Sequence, residues 1–213
     1  MHRHLEGKEY STTVAGRSIG SSVASEKGAI GLIIRSVGTD SSRMPHTGNM
    51  SYKKGVTKIP AGAISTSDAM MLMAMKKRGK AITVNMQLDT TAYKSTTSYN
   101  VIGEITGSKY PDEYILIGAH LDSWDEGTGA IDDGSGVGIV MAAAHAIKPF
   151  NPKRTIRVVL FANEEGGLIG AKEYRKANAS ELHKIKLAGE SDFGAGSVWR
   201  FDSQVHPDNL DVM

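Results

Sequence analysis

Between residues 100 and 192, apolar runs with strand and helix patterning alternate, and short polar stretches sit at their edges. Four of these carry the acidic residues and one histidine: His120 with Asp122, Asp132 with Asp133, Glu164 with Glu165, and Glu190 with Asp192. Strands are expected at 100–105, 114–118, 155–162 and 185–188, with helices at 135–148 and 166–177. The turn-rich stretch 106–112 predicts a hairpin joining the first two strands. In the helix at 135–148, Val137, Val140, Met141, Ala144 and Ile147 share one face, and Pro149 and Pro152 stop it. Helices alternating with buried strands imply a layered α/β/α domain with a largely parallel sheet.

The first part of the chain is organised differently. A short helix is expected at 21–27, strands at 29–37, 59–64 and 81–88, and a helix at 68–78 capped by Ser65 or Ser67 and closed by Gly79. The threonine-rich stretch 88–98 has no helical period and reads as a connector. The domain boundary falls inside it, giving residues 1–92 and 93–213.

Composition excludes little. The chain has 213 residues, ample for one large domain or two small ones, and a formal charge of +2 that argues for no nucleic-acid or membrane partner. There is no cysteine from which to read a redox compartment. The small-apolar run 137–147 is too short to span a bilayer, and the start lacks the apolar core of a signal peptide. Two sequons, at Asn49 and Asn178, permit a secretory location.

In open α/β sheets, ligands gather beyond the carboxyl ends of the strands. His120 and Asp122 follow one such strand, Glu164 and Glu165 another, and Asp192 a third, while Asp132 precedes a helix N-terminus. Carboxylates gathered there repel one another unless a cation neutralises them. One imidazole among several carboxylates suits zinc, with manganese or cobalt as substitutes. Each signal alone has a plain reading: His-x-Asp is common, and Glu-Glu before a helix is often a charged first turn. Their order and placement together carry the metal reading. Asp133 reads as a helix N-cap, Ser123 and Trp124 as local packing, and His145, His183, His2 and His4 as non-functional. Met70, Met71, Met73 and Met75 read as core filling.

The runs GSKYPDEYILIGAHLDSWDEGTGAIDDGSG, PKRTIRVVLFANEEGG and ESDFGAG resemble the zinc exopeptidases that include leucyl aminopeptidases and glutamate carboxypeptidases, nearest the carboxypeptidase Q branch. The resemblance runs from about residue 14 to 195. Through IRSVGTDSSRMPHTG and KIPAGAIS the first part resembles a protease-associated domain. The resemblance implies a layered α/β/α zinc-peptidase domain. It implies two zinc ions, with His120 and Asp192 on the first, Asp132 bridging, and Glu165 on the second. Glu164 is implied as the general base acting on a water held by the metals, and Asp122 as accepting the second imidazole N–H of His120. The Asp132–Asp133 peptide bond is implied to be cis, and Arg17 to contact a substrate carboxylate.

The implied activity is hydrolysis of dipeptides or short peptides. The alternatives are a broad-specificity aminopeptidase, or a non-catalytic binding module on the same fold. A secreted or lysosomal location and a homodimer also follow from the resemblance. The family draws its last zinc ligand from a histidine well downstream of Asp192, and His206 follows too closely to serve. The resemblance therefore implies an incomplete chain in which the second metal has only Asp132 and Glu165, with weak, single-site metal binding and little activity.

Overall fold

A computed structural model describes residues 8–38, 43–46, 48–91, 93–125, 127–192 and 194–198. The chain divides between Thr97 and Ser98 into two compact units. The division falls within the threonine-rich stretch, a few residues beyond the expected boundary at 92.

The first unit contains α1 (Lys8–Ser18), α2 (Gly20–Glu26), β1 (Leu32–Arg35), β2 (Ala61–Ile64) and α3 (Thr66–Lys77). The strands β1 and β2 pair in parallel, Leu32 opposite Ala61 and Arg35 opposite Ile64. Ser65 caps α3, its Oγ accepting the Asp68 N–H at 3.0 Å, and Gly79 follows the helix at φ 74°.

Two expectations fail in this unit, and one helix is unannounced by the sequence. The helix α1 was not anticipated, because its polar sequence offers no apolar stripe to read. Residues 81–88 form no strand. Ile82 and Met86 are the better covered positions there, a spacing of four rather than two, and the Met86 thioether lies over Gly31 and Gly62 of the β1–β2 region. Met70, Met71 and Met73 are exposed on α3 rather than filling a core.

The second unit contains β3 (Val101–Ile105), β4 (Tyr110–His120), α4 (Gly134–Ile147), β5 (Arg154–Phe161), α5 (Ile169–Ala177) and β6 (Ile185–Glu190). Its sheet has the order β3-β5-β4-β6. The strand β4 is parallel to both β5 and β6, and β3 runs antiparallel along the outer side of β5. The sheet is therefore largely parallel, but β3 and β4 are not a hairpin. Both edges of β4 are taken, so β3 must pair elsewhere. The turn between them is bonded instead to the entry of β5: the Gly107 N–H donates to Thr155 Oγ1 at 2.9 Å and the Tyr110 N–H to the Lys153 carbonyl at 2.7 Å.

The two faces of this sheet are covered by different helices, as strand alternation dictates. Ile117 and Ala119 of β4 and Val158 and Leu160 of β5 pack with Val137 and Val140 of α4. Leu116, Val159 and Phe161 point the other way and pack with Ala171 and Tyr174 of α5. This explains the continuous apolar run of β5, which is buried on both sides. The α4 face is narrower than expected, because Met141 and Ile147 are exposed. The α5 helix starts at Ile169 rather than 166. Residues before it wind into turns in which the Glu164 carbonyl accepts from the N–H groups of Gly167 and Leu168.

Parallel pairing brings three strand ends to one edge. His120 at the end of β4 stands opposite Phe161 at the end of β5, and Gly118 stands opposite Glu190 at the end of β6. Gly107 sustains the close approach of the turn to β5, since a Cβ there would lie 2.6 Å from the Arg154 carbonyl carbon and the Thr155 nitrogen. Gly107→Ala is expected to cost about 2 kcal/mol of stability. Gly103→Ala, in open space on β3, should change it by less than about 0.5 kcal/mol. Denaturant unfolding of both variants checks the contrast, and equal losses would contradict it.

Candidate metal centre

His120 is the last residue of β4 and is 1% exposed. Its Nε2 faces Asp132 Oδ1 at 3.0 Å and Asp192 Oδ1 at 3.3 Å. One ligand atom from each of these three residues lies within 4.8 Å of the others. The two carboxylates are half-exposed, at 48% and 43%, so the imidazole is the buried wall of a site open to solvent.

Each carboxylate arrives from a different direction. Asp132 precedes α4, across a cis Asp132–Asp133 bond. Asp133 is almost fully buried and does two things at once. One carboxylate oxygen caps α4 by accepting the Gly136 N–H, and the other accepts the main-chain N–H of His120, each at 3.0 Å. The cap was legible in sequence; the bond to His120 was not. Asp192 follows β6, whose pairing continues through the Ser191 N–H to the Gly118 carbonyl at 2.9 Å. The segment beyond it is tied to the start of α4, with Ser135 Oγ donating to the Gly194 carbonyl at 3.2 Å. Gly136 lets these parts meet. A Cβ there would stand 2.1 Å from Asp133 Oδ1 and 2.3 Å from the Ser191 carbonyl.

Asp122 departs from its expected contact. The His120 Nδ1 lies 2.9 Å from the main-chain oxygen of Asp122 and 3.8 Å from its carboxylate. A carbonyl at Nδ1 fixes the proton there and leaves Nε2 for the carboxylate side. The Asp122 carboxylate is engaged otherwise. Its two oxygens accept the main-chain N–H groups of Glu164 at 2.8 Å and Glu165 at 3.1 Å. Asn163, at φ 53°, turns the chain out of β5 just before them.

Electrostatics couple Glu164 and Glu165 to the three clustered residues. Burial, then the charges of Asp132 and Glu164, push Glu165 up to about 7. Burial also raises Glu164, against the pull of His120 and with the repulsion of Asp192, Asp122 and Asp132. Asp133 is raised mainly by burial. Burial opposes the His120 imidazolium, yet Asp133, the Asp122 carbonyl, Asp192 and Glu164 together hold its pKa above the ordinary value. Carboxylates resisting ionisation around one neutral-capable imidazole are a donor set that a divalent cation relieves. The residues fit zinc in ligand type.

Arg17 belongs to the first unit, where its guanidinium lies 3.0 Å from His46 Nδ1 and lines a cavity of about 250 Å³ with Leu32, Ile34 and Met50. Ser123 Oγ donates to the Gly127 carbonyl, a local contact. His145 and His183 are exposed. His2, His4 and His206 lie outside the described residues. Among the described residues, no helix is long and apolar enough to cross a membrane.

The fold and these motifs define a class that comparison with known proteins names. Residues 100–212 match the model of peptidase family M28, and the chain belongs to that family. It is 42% identical over 187 residues to carboxypeptidase Q of Mus musculus, a match covering 87% of this chain and 40% of that protein. The crystal structure of a peptidase M28 precursor from Shewanella amazonensis superposes with TM-score 0.93 at 55% identity, covering 99% of this chain and 48% of that one. A zinc aminopeptidase from Bacillus subtilis superposes with TM-score 0.55 at 26% identity, covering 79% and 39%. The chain thus spans about two fifths of the length of the curated relative it matches.

The charge balance predicts a pH dependence. In the metal-free chain, Glu165 holds a proton up to about pH 7 that the unfolded chain has released above about 4.5. Folded-state proton retention means stability falls as pH rises across that interval. The raised His120 has the same sign, its contribution being lost as pH rises through its folded pKa. Chelator-treated protein should therefore melt at a lower temperature at pH 8 than at pH 5. Zinc should raise the melting temperature at pH 8 and do little at pH 5, where protons compete. Equal zinc effects at both pH values would contradict this.

Proposed function

We propose that this chain carries the metal-binding half of a zinc-dependent exopeptidase that hydrolyses dipeptides or short peptides. The observation that carries the proposal is the meeting of His120 Nε2 with the Asp132 and Asp192 carboxylates at the sheet edge. Membership of peptidase family M28 and the likeness to a carboxypeptidase and to a zinc aminopeptidase support it.

In this reading His120, Asp132 and Asp192 hold the first of two cations, and Asp132 and Glu165 hold the second. When bound, zinc supplies Lewis-acid polarisation of a peptide carbonyl and acidifies water. Glu164 takes the proton of the attacking water and hands it to the departing amine. Burial raises its pKa, which brings its proton affinity nearer to that of a base working close to neutrality. The His120 Nδ1 bond to the Asp122 carbonyl keeps the ring in the tautomer that leaves Nε2 unprotonated for a cation. The first unit is proposed as part of a protease-associated domain. The carboxypeptidase Q match is too long to lie within the second unit alone and so extends into the first.

Glu164→Gln, made in a form of the protein that cleaves dipeptides, should lower kcat by about 10²- to 10⁴-fold. Zinc per chain, measured by atomic emission, should be unchanged. Retained turnover would remove Glu164 from the mechanism. Cleavage of amino-blocked dipeptides would favour a carboxypeptidase-like or dipeptidase specificity, whereas a requirement for a free amine would favour an aminopeptidase.

A further inference from the structure

We infer that Asp122 is a positioning residue for the loop carrying Glu164 and Glu165, and that it does this through main-chain amides rather than through the His120 ring. The inference rests on the site reading above and deepens it. The geometry is specific. One carboxylate receives two consecutive amides, at 2.8 and 3.1 Å, from residues more than forty positions away. The ring nitrogen that a supporting carboxylate would take is instead occupied by the Asp122 main-chain oxygen.

These two amides have reason to need an acceptor. They follow the last residues of β5, beyond the end of the strand ladder, and they precede α5 by several residues. The Glu164 carbonyl turns inward to hold Gly167 and Leu168, which leaves the N–H groups of the same turn facing the β4 side. A carboxylate on the loop after β4 meets them there. Hydrogen bonds to a charged acceptor are roughly twice as strong as neutral ones. Asp122 thereby sets where the Glu164 and Glu165 side chains start from, relative to His120. Because its own contact with His120 is made by the main chain, the two tasks of residue 122 are separable by mutation.

The experiment is amide hydrogen exchange on the full chain, without metal, comparing the wild type with Asp122→Ala. Exchange at Glu164 and Glu165 should speed up by about tenfold or more, while β4 and β5 amides keep their protection. The His120 ring nitrogen resonances should keep the wild-type tautomer pattern. Unchanged exchange at both amides overturns the inference. A changed His120 tautomer with protected amides assigns Asp122 to the imidazole and likewise overturns it. If Asp122→Ala loses protection throughout β4 and β5, Asp122→Asn replaces it, keeping the volume and one acceptor. One of the two amides should then lose protection and the other keep it, and protection of both overturns the inference.

A cobalt(II) titration separates this result from the site reading. Asp122→Ala should weaken cobalt uptake dependent on Glu165, as Glu165→Gln does, and spare uptake dependent on His120. If the wild-type chain takes up no cobalt, the metal reading fails, and the exchange result still decides what Asp122 does.

Discussion

Everything at the candidate metal centre depends on how the end of β4 is held. His120 is buried, its main-chain N–H is bonded to the Asp133 carboxylate, and its Nδ1 is bonded to the Asp122 carbonyl. Those contacts leave the imidazole a single free nitrogen and a single direction to present it. Asp132 and Asp192 then approach that nitrogen from the start of α4 and the end of β6. The Asp133 bond ties the residue after Asp132 directly to the last residue of β4, beside the packing of Val137 and Val140 of α4 against that strand.

The acidic residues divide into two kinds of work. Asp132 and Asp192 meet at the His120 imidazole, while burial and neighbouring negative charge hold Glu164 and Glu165 above the ordinary carboxylate range. Asp122 and Asp133 spend their oxygens on main-chain N–H groups of neighbouring segments, which satisfies buried donors and locks loops together. Glycine at 136 is part of the same arrangement, because any side chain there would strike the Asp133 carboxylate and the Ser191 carbonyl. The layered fold supplies the frame: α4 and α5 cover opposite faces of the sheet, and the parallel order brings three strand ends to one edge.

Much of this was legible in the chain. Strand and helix positions in the second unit followed from apolar periodicity, with shifts at their ends, and the residues gathered at the sheet edge were recognisable from their types and order. The errors have physical causes. A hairpin between β3 and β4 was the local solution to a turn-rich segment, but β5 and β6 occupy both edges of β4. The stretch expected as a strand at 81–88 does alternate, with Ile82, Val84, Met86 and Leu88 apolar, but Val84 and Leu88 are exposed and only Ile82 and Met86 are covered, so the alternation marks no sheet face. The exposed methionines of α3 and the polar helix α1 show that side-chain type alone does not settle which face is covered.

Residue chemistry and spacing, read along the chain, determined which groups can ligate a cation and which elements end beside them, because both depend on local pattern. Only the tertiary structure decided which oxygen of Asp122 meets His120, which carboxylates hold main-chain amides, and which strand lies next to which. Those choices are made by hydrogen bonds between atoms many residues apart, and their cost and geometry exist only once the layers have packed.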